Sequence, residues 1–288
     1  MDFRAFENDI IQNKWNVFGA EVWDRGRGIE QWGDTVQRHP VYSVVKTITS
    51  IAAGMAVDEG KLDLKTPILD YMPQWAQKGM SEEQKLLYRH ITIRRLLTMS
   101  VSGYPFRLSG ESWLKESLQN PIENTEQSEF HYSNVSAYLV GVAVSCAVQE
   151  HLYDYLSRKL FEPLQIKRPP YTNCPDGYFY GASGMELSVQ ELRKIGLLLM
   201  NEGVYEGHRL LSEQYVKEAV SVQQCNREGG YGYFVWKYRE GFSINGKWGQ
   251  KCFVLPRQGK VITFLSHMEE GSSRMIKSME KHLLGIKE

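Results

Sequence analysis

The chain has 288 residues, 42% of them hydrophobic and 24% charged, an ordinary composition for a globular protein with one large core or two modest ones. Lysine plus arginine and aspartate plus glutamate both total 34, so the formal net charge is zero. No basic excess points to nucleic acid, no polybasic tail points to a membrane surface, and no apolar run is long enough to span a bilayer.

The first nine residues are acidic and amphipathic, with no basic start followed by an apolar stretch, so they do not read as a signal peptide. The expectation is a cytoplasmic protein, or one whose export signal has been trimmed. Residues 3–14 read as an amphipathic helix. Val17 to Trp23 reads as a strand, followed by a turn at 24–28 and a return strand at 29–32. After Pro40, Ser43-Val44-Val45-Lys46 opens a helix with Val44, Ile48, Ile51, Ala52 and Met55 at helical spacing and Ala53, Ala56 and Val57 on its remaining surface. A helix apolar on most sides is buried.

From Leu62 to about residue 184 the texture is helical. A short helix over 92–99 has a threonine cap, and long apolar helices run from Ser136 to Gln149 and from Ser188 to Asn201. The last quarter alternates like a sheet, with strands at 231–236, 250–255 and 260–265, and a helix over 272–284 closes the chain. The expected fold is α/β (α+β): one antiparallel sheet built from both chain ends and flanked by helices. The whole forms a single domain, with its α/β part at 1–60 and 185–288 and an all-helical subdomain inserted at 61–184. Cys146, Cys174, Cys225 and Cys252 are scattered, which points to neither a zinc site nor a disulfide framework.

A serine and a lysine three residues apart on a helix share a face, and an amine held against a hydroxyl can turn a weak alcohol into a nucleophile. Ser-x-x-Lys occurs three times, at Ser43–Lys46, Ser112–Lys115 and Ser278–Lys281. Ser112 reads as a helix cap and Ser278 as solvated surface of a charged helix. Only Ser43–Lys46 heads a buried helix, where desolvation lowers a lysine pKa and the helix dipole favours negative charge near the serine. The bland alternative is a capping Ser43 with Lys46 snorkelling to solvent.

Tyr132-Ser133-Asn134 precedes the long helix near residue 136. A tyrosine near a lysine can share its proton, and an asparagine both donates to and accepts from an amide. The similar Tyr171-Thr172-Asn173 follows Pro169-Pro170 and reads as turn chemistry.

With these blocks together, the chain resembles the serine β-lactamase and penicillin-binding-protein superfamily, in its class C-like branch of esterases, D-amino-acid peptidases and amide hydrolases. The resemblance runs through Ser43–Lys46 with Asp58–Leu64, Ile91–Thr98 with Ser102-Gly103, Phe130–Asn134, Gly181–Ser188 and Gly207–Ser212, and covers nearly the whole chain. It implies that Ser43 is acylated, Lys46 activates it, Tyr132 moves protons with Lys46, and Asn134 orients the substrate. The Ser43 N–H and another from a late edge strand would form the oxyanion hole.

The third motif departs from the family pattern of Lys-Thr-Gly or His-x-Gly. Here the stretch is Ser243-Ile244-Asn245-Gly246-Lys247-Trp248-Gly249-Gln250. In one register Ile244-Asn245-Gly246 replaces the motif and the Lys247 N–H completes the oxyanion hole. In the other, Lys247-Trp248-Gly249 is a Lys-x-Gly variant whose ammonium faces a substrate carboxylate. The first is preferred, and it favours neutral ester or amide substrates over β-lactams or D,D-peptides.

The expected partner is thus a small-molecule ester, amide or β-lactam-like compound, with no metal or organic cofactor. One rival is a sensor of the same fold that acylates and barely turns over. A Ser-His-Asp hydrolase is disfavoured, because there is no Gly-x-Ser-x-Gly elbow and none of the seven histidines sits in a base motif. Trp113, Trp236 and Trp248 are candidates to line the cleft.

Overall fold

The computed structural model describes residues 1–122 and 129–286. Its centre is a six-stranded antiparallel sheet in the order β2-β1-β10-β9-β8-β7. The strands are β1 (Val17–Asp24), β2 (Gly28–Gly33), β7 (Trp236–Tyr238), β8 (Gly241–Gly246), β9 (Gln250–Leu255) and β10 (Lys260–Ser266). Two minor two-stranded ladders complete the β structure of the described residues. One is β3 (His39–Pro40) with β4 (Glu186–Leu187), the other β5 (Val204–Tyr205) with β6 (His208–Arg209). The first strands from the N-terminal part and the last from the C-terminal part meet at β1–β10, where Ala20 faces Phe264 and Val22 faces Ile262.

The helices are α1 (Phe3–Gln12), α2 (Val44–Asp58), α3 (Gln74–Gln77), α4 (Glu82–Tyr88), α5 (Ile93–Leu97), α6 (Trp113–Gln119), α7 (Asn134–Val148), α8 (Leu152–Leu156), α9 (Val189–Met200), α10 (Glu213–Val220) and α11 (Ser273–Leu283). None alone is long and apolar enough to cross a membrane.

Side-chain alternation along the strands sorts the core into two layers. Phe253, Leu255, Ile262 and Phe264 pack with Phe6 and Ile10 of α1 and Met275 and Met279 of α11. Their neighbours Phe242, Ile244, Cys252 and Val254 join the larger cluster built on α2, α7 and α9. α9 lies so close to the sheet that a Cβ at Gly196 would stand 2.6 Å from Cys252 Sγ. The two central helices, α2 and α7, are buried over Val44–Ala56 and Asn134–Val144. A helix apolar all round reaches stability only inside a core, and this pair carries the two catalytic-type motifs into it.

Local sequence explains several boundaries. Ser188 and Glu191 form a reciprocal capping box at the start of α9, and Thr92 and Ser112 cap α5 and α6 with their hydroxyls.

Three expectations need correction. Residues 231–235 are not a strand, and of the run only Trp236 joins one, as the first residue of β7: Tyr231 makes isolated bridges to Gln224 and Trp236, and Phe234 has φ of 57°, so the run turns back on itself. Its aromatic alternation reflects ring packing, with Tyr231 4.8 Å from Trp236. The strand carrying the third motif, β8, is not the sheet edge either, since β7 lies outside it; but β7 pairs only with Gly241–Ser243, so Ile244–Gly246 lack a β7 partner. Ser278 is buried rather than solvated, and its hydroxyl donates to Asp9 across the α1–α11 contact at 2.6 Å.

One ion pair pins α9 to the sheet: Arg193 Nε donates to Glu21 at 2.7 Å, and the Glu21 side chain is 1% exposed. Removing one partner strands a buried charge. Arg193→Ala should lower unfolding free energy in urea by about 3–5 kcal/mol, whereas Glu21→Leu combined with Arg193→Leu should cost much less. Equal losses in both variants would contradict this account.

Candidate active site

The segment before α2 sets the geometry. Tyr42 lies in the left-handed region with φ of 49°, an unusual conformation for an aromatic residue, and Ser43 follows it at the helix entry. Backbone bonds of the entry turn start with Val44 N–H to Val41, Val45 N–H to Tyr42 and Lys46 N–H to Ser43. The Ser43 N–H makes no hydrogen bond among the described residues. Ser43 occupies the N-cap position, yet its side chain makes no capping bond. The capping alternative for this residue therefore fails.

Its hydroxyl accepts from Lys46 Nζ at 3.0 Å. Lys46 does not snorkel: it is 1% exposed, and Nζ also donates to Asn134 Oδ1 at 2.7 Å and to the Ala182 carbonyl at 3.0 Å. Three acceptors suit an ammonium. Burial nevertheless disfavours the charge and brings the lysine down to a pKa of about 7.

Tyr132 closes the group from the other side. Its ring centroid lies 5.0 Å from Lys46 Nζ, and burial pushes its phenol up to about 12, with its hydroxyl contact to Ser43 acting against the rise. Two rings flank the phenol, Trp236 at 5.6 Å and Phe106 at 6.3 Å. Neighbouring His131 points elsewhere and bonds the Tyr104 carbonyl at 2.8 Å. Ser133 caps α7 through its hydroxyl and the Val135 N–H. Asn134 follows as the first helical residue, held between Lys46 and Tyr180, whose hydroxyl it contacts.

Ser43, Lys46, Tyr132 and Asn134 thus converge. Gly246 comes close as well: a Cβ there would stand 2.3 Å from the Val41 carbonyl. Lys247 behaves differently. Its side chain is exposed and its Nζ rests 3.9 Å above the Trp248 ring. Trp248 also has left-handed φ, 61°, and meets Tyr42 edge to face at 5.1 Å.

Of the three tryptophans singled out, Trp236 stacks on Tyr132, Trp248 stands against Tyr42, and Trp113 backs the group through Tyr180 at 5.0 Å. Residue chemistry alone did not mark Ala182, Tyr42 or Tyr180. Ala182 acts through its backbone carbonyl, which no side chain advertises, although it lies in the Gly181–Ser188 block. Among the described residues no cluster of His, Cys, Asp or Glu could hold a metal ion.

The fold defines a class that comparison with known proteins makes explicit. The chain belongs to the Beta-lactamase family, whose model matches residues 10–284. It is similar to a 6-aminohexanoate-dimer hydrolase of Paenarthrobacter ureafaciens, 22% identical over 284 residues that cover 86% of this chain and 70% of the relative. A D-stereospecific amidohydrolase from Streptomyces sp. shares the fold with a TM-score of 0.76 at 17% identity, covering 100% of both chains. A penicillin binding protein from Bacillus halodurans does so with a TM-score of 0.73 at 17% identity, covering 96% of this chain and 99% of the other.

The close approach at Gly246 gives a test of the geometry. Gly246→Ala should push the end of β8 away from Val41 and lower kcat/KM for an activated ester about 100-fold, the scale of an ångström-level misplacement, while the far-UV circular dichroism keeps its native shape. Full activity in the folded variant would show that this approach does not position the site.

Proposed function

We propose that the protein is a serine hydrolase that cleaves esters and amides through a covalent acyl-serine intermediate on Ser43. The observation that carries this reading is the 3.0 Å contact between Ser43 Oγ and a buried lysine whose pKa falls to about 7. In its neutral form Lys46 has a lone pair to receive the Ser43 proton, so the hydrogen bond between them reverses direction. Oγ then adds to the substrate carbonyl carbon, and the carbonyl oxygen takes the negative charge. The N–H groups of Ser43 and Lys247 are the proposed donors to that oxyanion.

Tyr132 serves as a relay. With a pKa near 12 it stays a phenol at neutral pH, so it passes its proton to the leaving oxygen or nitrogen and takes one from Lys46. The bond to the leaving group breaks, leaving an ester on Ser43. Water then adds to that ester, giving its proton through the same pair, and Ser43 departs with a proton restored. Asn134 holds Lys46 in line through its amide oxygen.

The position of Lys247 supports neutral esters or amides as substrates. Its ammonium lies over Trp248, so the register in which it pairs with a carboxylate has no support from the geometry. The names of the 6-aminohexanoate-dimer hydrolase and the D-stereospecific amidohydrolase support the amide side of the reading. β-Lactam or D,D-peptide hydrolysis, or stable acylation as in a sensor, is the second reading, favoured by the likeness to a penicillin binding protein.

A fluorophosphonate should label Ser43, and Ser43→Ala should lose activity on p-nitrophenyl butyrate by about 10⁴-fold or more. Faster turnover of a chromogenic cephalosporin than of the ester, also lost in Ser43→Ala, would favour the second reading. Label on another residue would sink the first.

The pH profile has a definite sign. Lys46 must be neutral to act, so kcat/KM should climb with pH and reach half its plateau near pH 7. A flat profile down to pH 5 would rule out Lys46 as the base.

A further inference from the structure

We propose that the cavity beside Tyr42 takes an alkylammonium arm on the acyl part of the substrate, with Glu186 as its counter-charge. The acyl assignment rests on the acyl-serine reading. The cavity has a volume of about 260 Å³, just below the range of about 300–1,000 Å³ usual for whole small-molecule sites and sized for a side arm.

Its place follows from the chain. Tyr42 and Ser183 both line it. Tyr42 precedes Ser43, and Ser183 follows Ala182, whose carbonyl receives Lys46 at 3.0 Å. Among the described residues, the rings around Tyr132 (Phe106, Phe130, Tyr231 and Trp236) are absent from its lining. Tyr132 supplies the proton to the departing group, so an arm held in this cavity belongs to the part that stays on Ser43. Glu186 faces Pro40 in the β3–β4 ladder. Pro40 stands three residues before Ser43, a reach of about 10 Å that a short methylene chain spans.

Two segments close the cavity, 170–172 and 183–186, and the Glu186 N–H ties them together by donating to the Pro170 carbonyl at 3.1 Å. Tyr42 and Tyr171 supply aromatic walls, which suit a cation. Glu186 is the one charged residue in the lining, and among the described residues its half-buried carboxylate makes no ion pair. Arg38 and His39 feel its charge, but neither neutralises it. Arg38 Nη2 is bonded to Glu191 and to the Lys167 carbonyl, each at 2.6 Å. His39 stacks on Phe18 at 3.9 Å, and burial lowers its pKa, so it is uncharged at neutral pH. Arg168 turns to the Tyr153 hydroxyl. A carboxylate in a walled recess with no cation of its own attracts a positive ligand and repels an anion.

Two p-nitrophenyl esters test the site: the 5-(trimethylammonio)pentanoate, whose charge is fixed, and the 6,6-dimethylheptanoate, its uncharged isostere. The ratio of their kcat/KM values, cationic over neutral, does not depend on how much of a variant folds. It should fall at least about tenfold in Glu186→Gln and further in Glu186→Lys. A second pair, butyrylcholine and 3,3-dimethylbutyl butyrate, carries the charge on the leaving group instead. The same substitutions should change that ratio less than about threefold. Binding of 5-(trimethylammonio)pentanamide to Ser43→Ala protein, measured by calorimetry, needs no turnover and should weaken about tenfold when Glu186→Gln is added.

An acyl-pair ratio that is the same in native protein and both variants would overturn the proposal. So would an equal or larger change in the choline pair, or binding of the amide that ignores Glu186. Failure of the acyl-serine reading looks different: Ser43 would resist fluorophosphonate while amide binding kept its dependence on Glu186, and that result would overturn the acyl role and leave the ammonium site in place.

Discussion

The structure turns on one buried amine. Lys46 sits in the first turn of a helix with almost no solvent contact, and three acceptors from three separate segments surround it: the Ser43 hydroxyl, the Asn134 amide oxygen and the Ala182 carbonyl. Isolated ions are rarely tolerated at such depth. The site resolves the conflict by letting the amine share or give up its proton near neutrality. The same desolvation that costs stability lowers the pKa of the lysine, so the architecture around α2 and α7 and the chemistry proposed for Ser43 have a single physical origin.

That arrangement also accounts for how uniformly the two central helices are buried. Val44–Ala56 and the first eleven residues of α7 are buried on every side, which excludes water from Lys46 and keeps its pKa low. An amphipathic helix in the place of α2 would present a solvated stripe, and the lysine would find water along it. The burial pattern of the helices therefore serves the proposed chemistry as much as the core.

Much of this was legible in the sequence. The helical positions at 44, 48, 51, 52 and 55 foretell a buried α2, and the capping residues Thr92, Ser112 and Ser188 mark helix starts that the structure reproduces. The convergence of Ser43, Lys46, Tyr132 and Asn134 follows from the family resemblance more than from spacing, since residues 43 and 132 are distant along the chain. The run at 231–236 shows where periodicity misleads: Tyr231, Tyr233 and Trp236 alternate as in a strand but are placed by ring packing and a turn at Phe234. Ser278 looked solvated because its helix is charged, yet its Asp9 partner lies at the other end of the chain, beyond the reach of any local pattern. Ala182 and Tyr42 act through backbone oxygen and backbone conformation, properties that residue type does not encode.

Tyr42 and Trp248 both hold left-handed backbone angles, and their rings meet edge to face across the gap between the turn that precedes α2 and the β8–β9 turn. The contact gives each ring a support for a backbone conformation that is unfavourable in isolation. Substituting one would release its own strain and also withdraw the support of its counterpart, so the effects of the two changes would not add. A library that varies the two positions together would sample combinations that single substitutions miss.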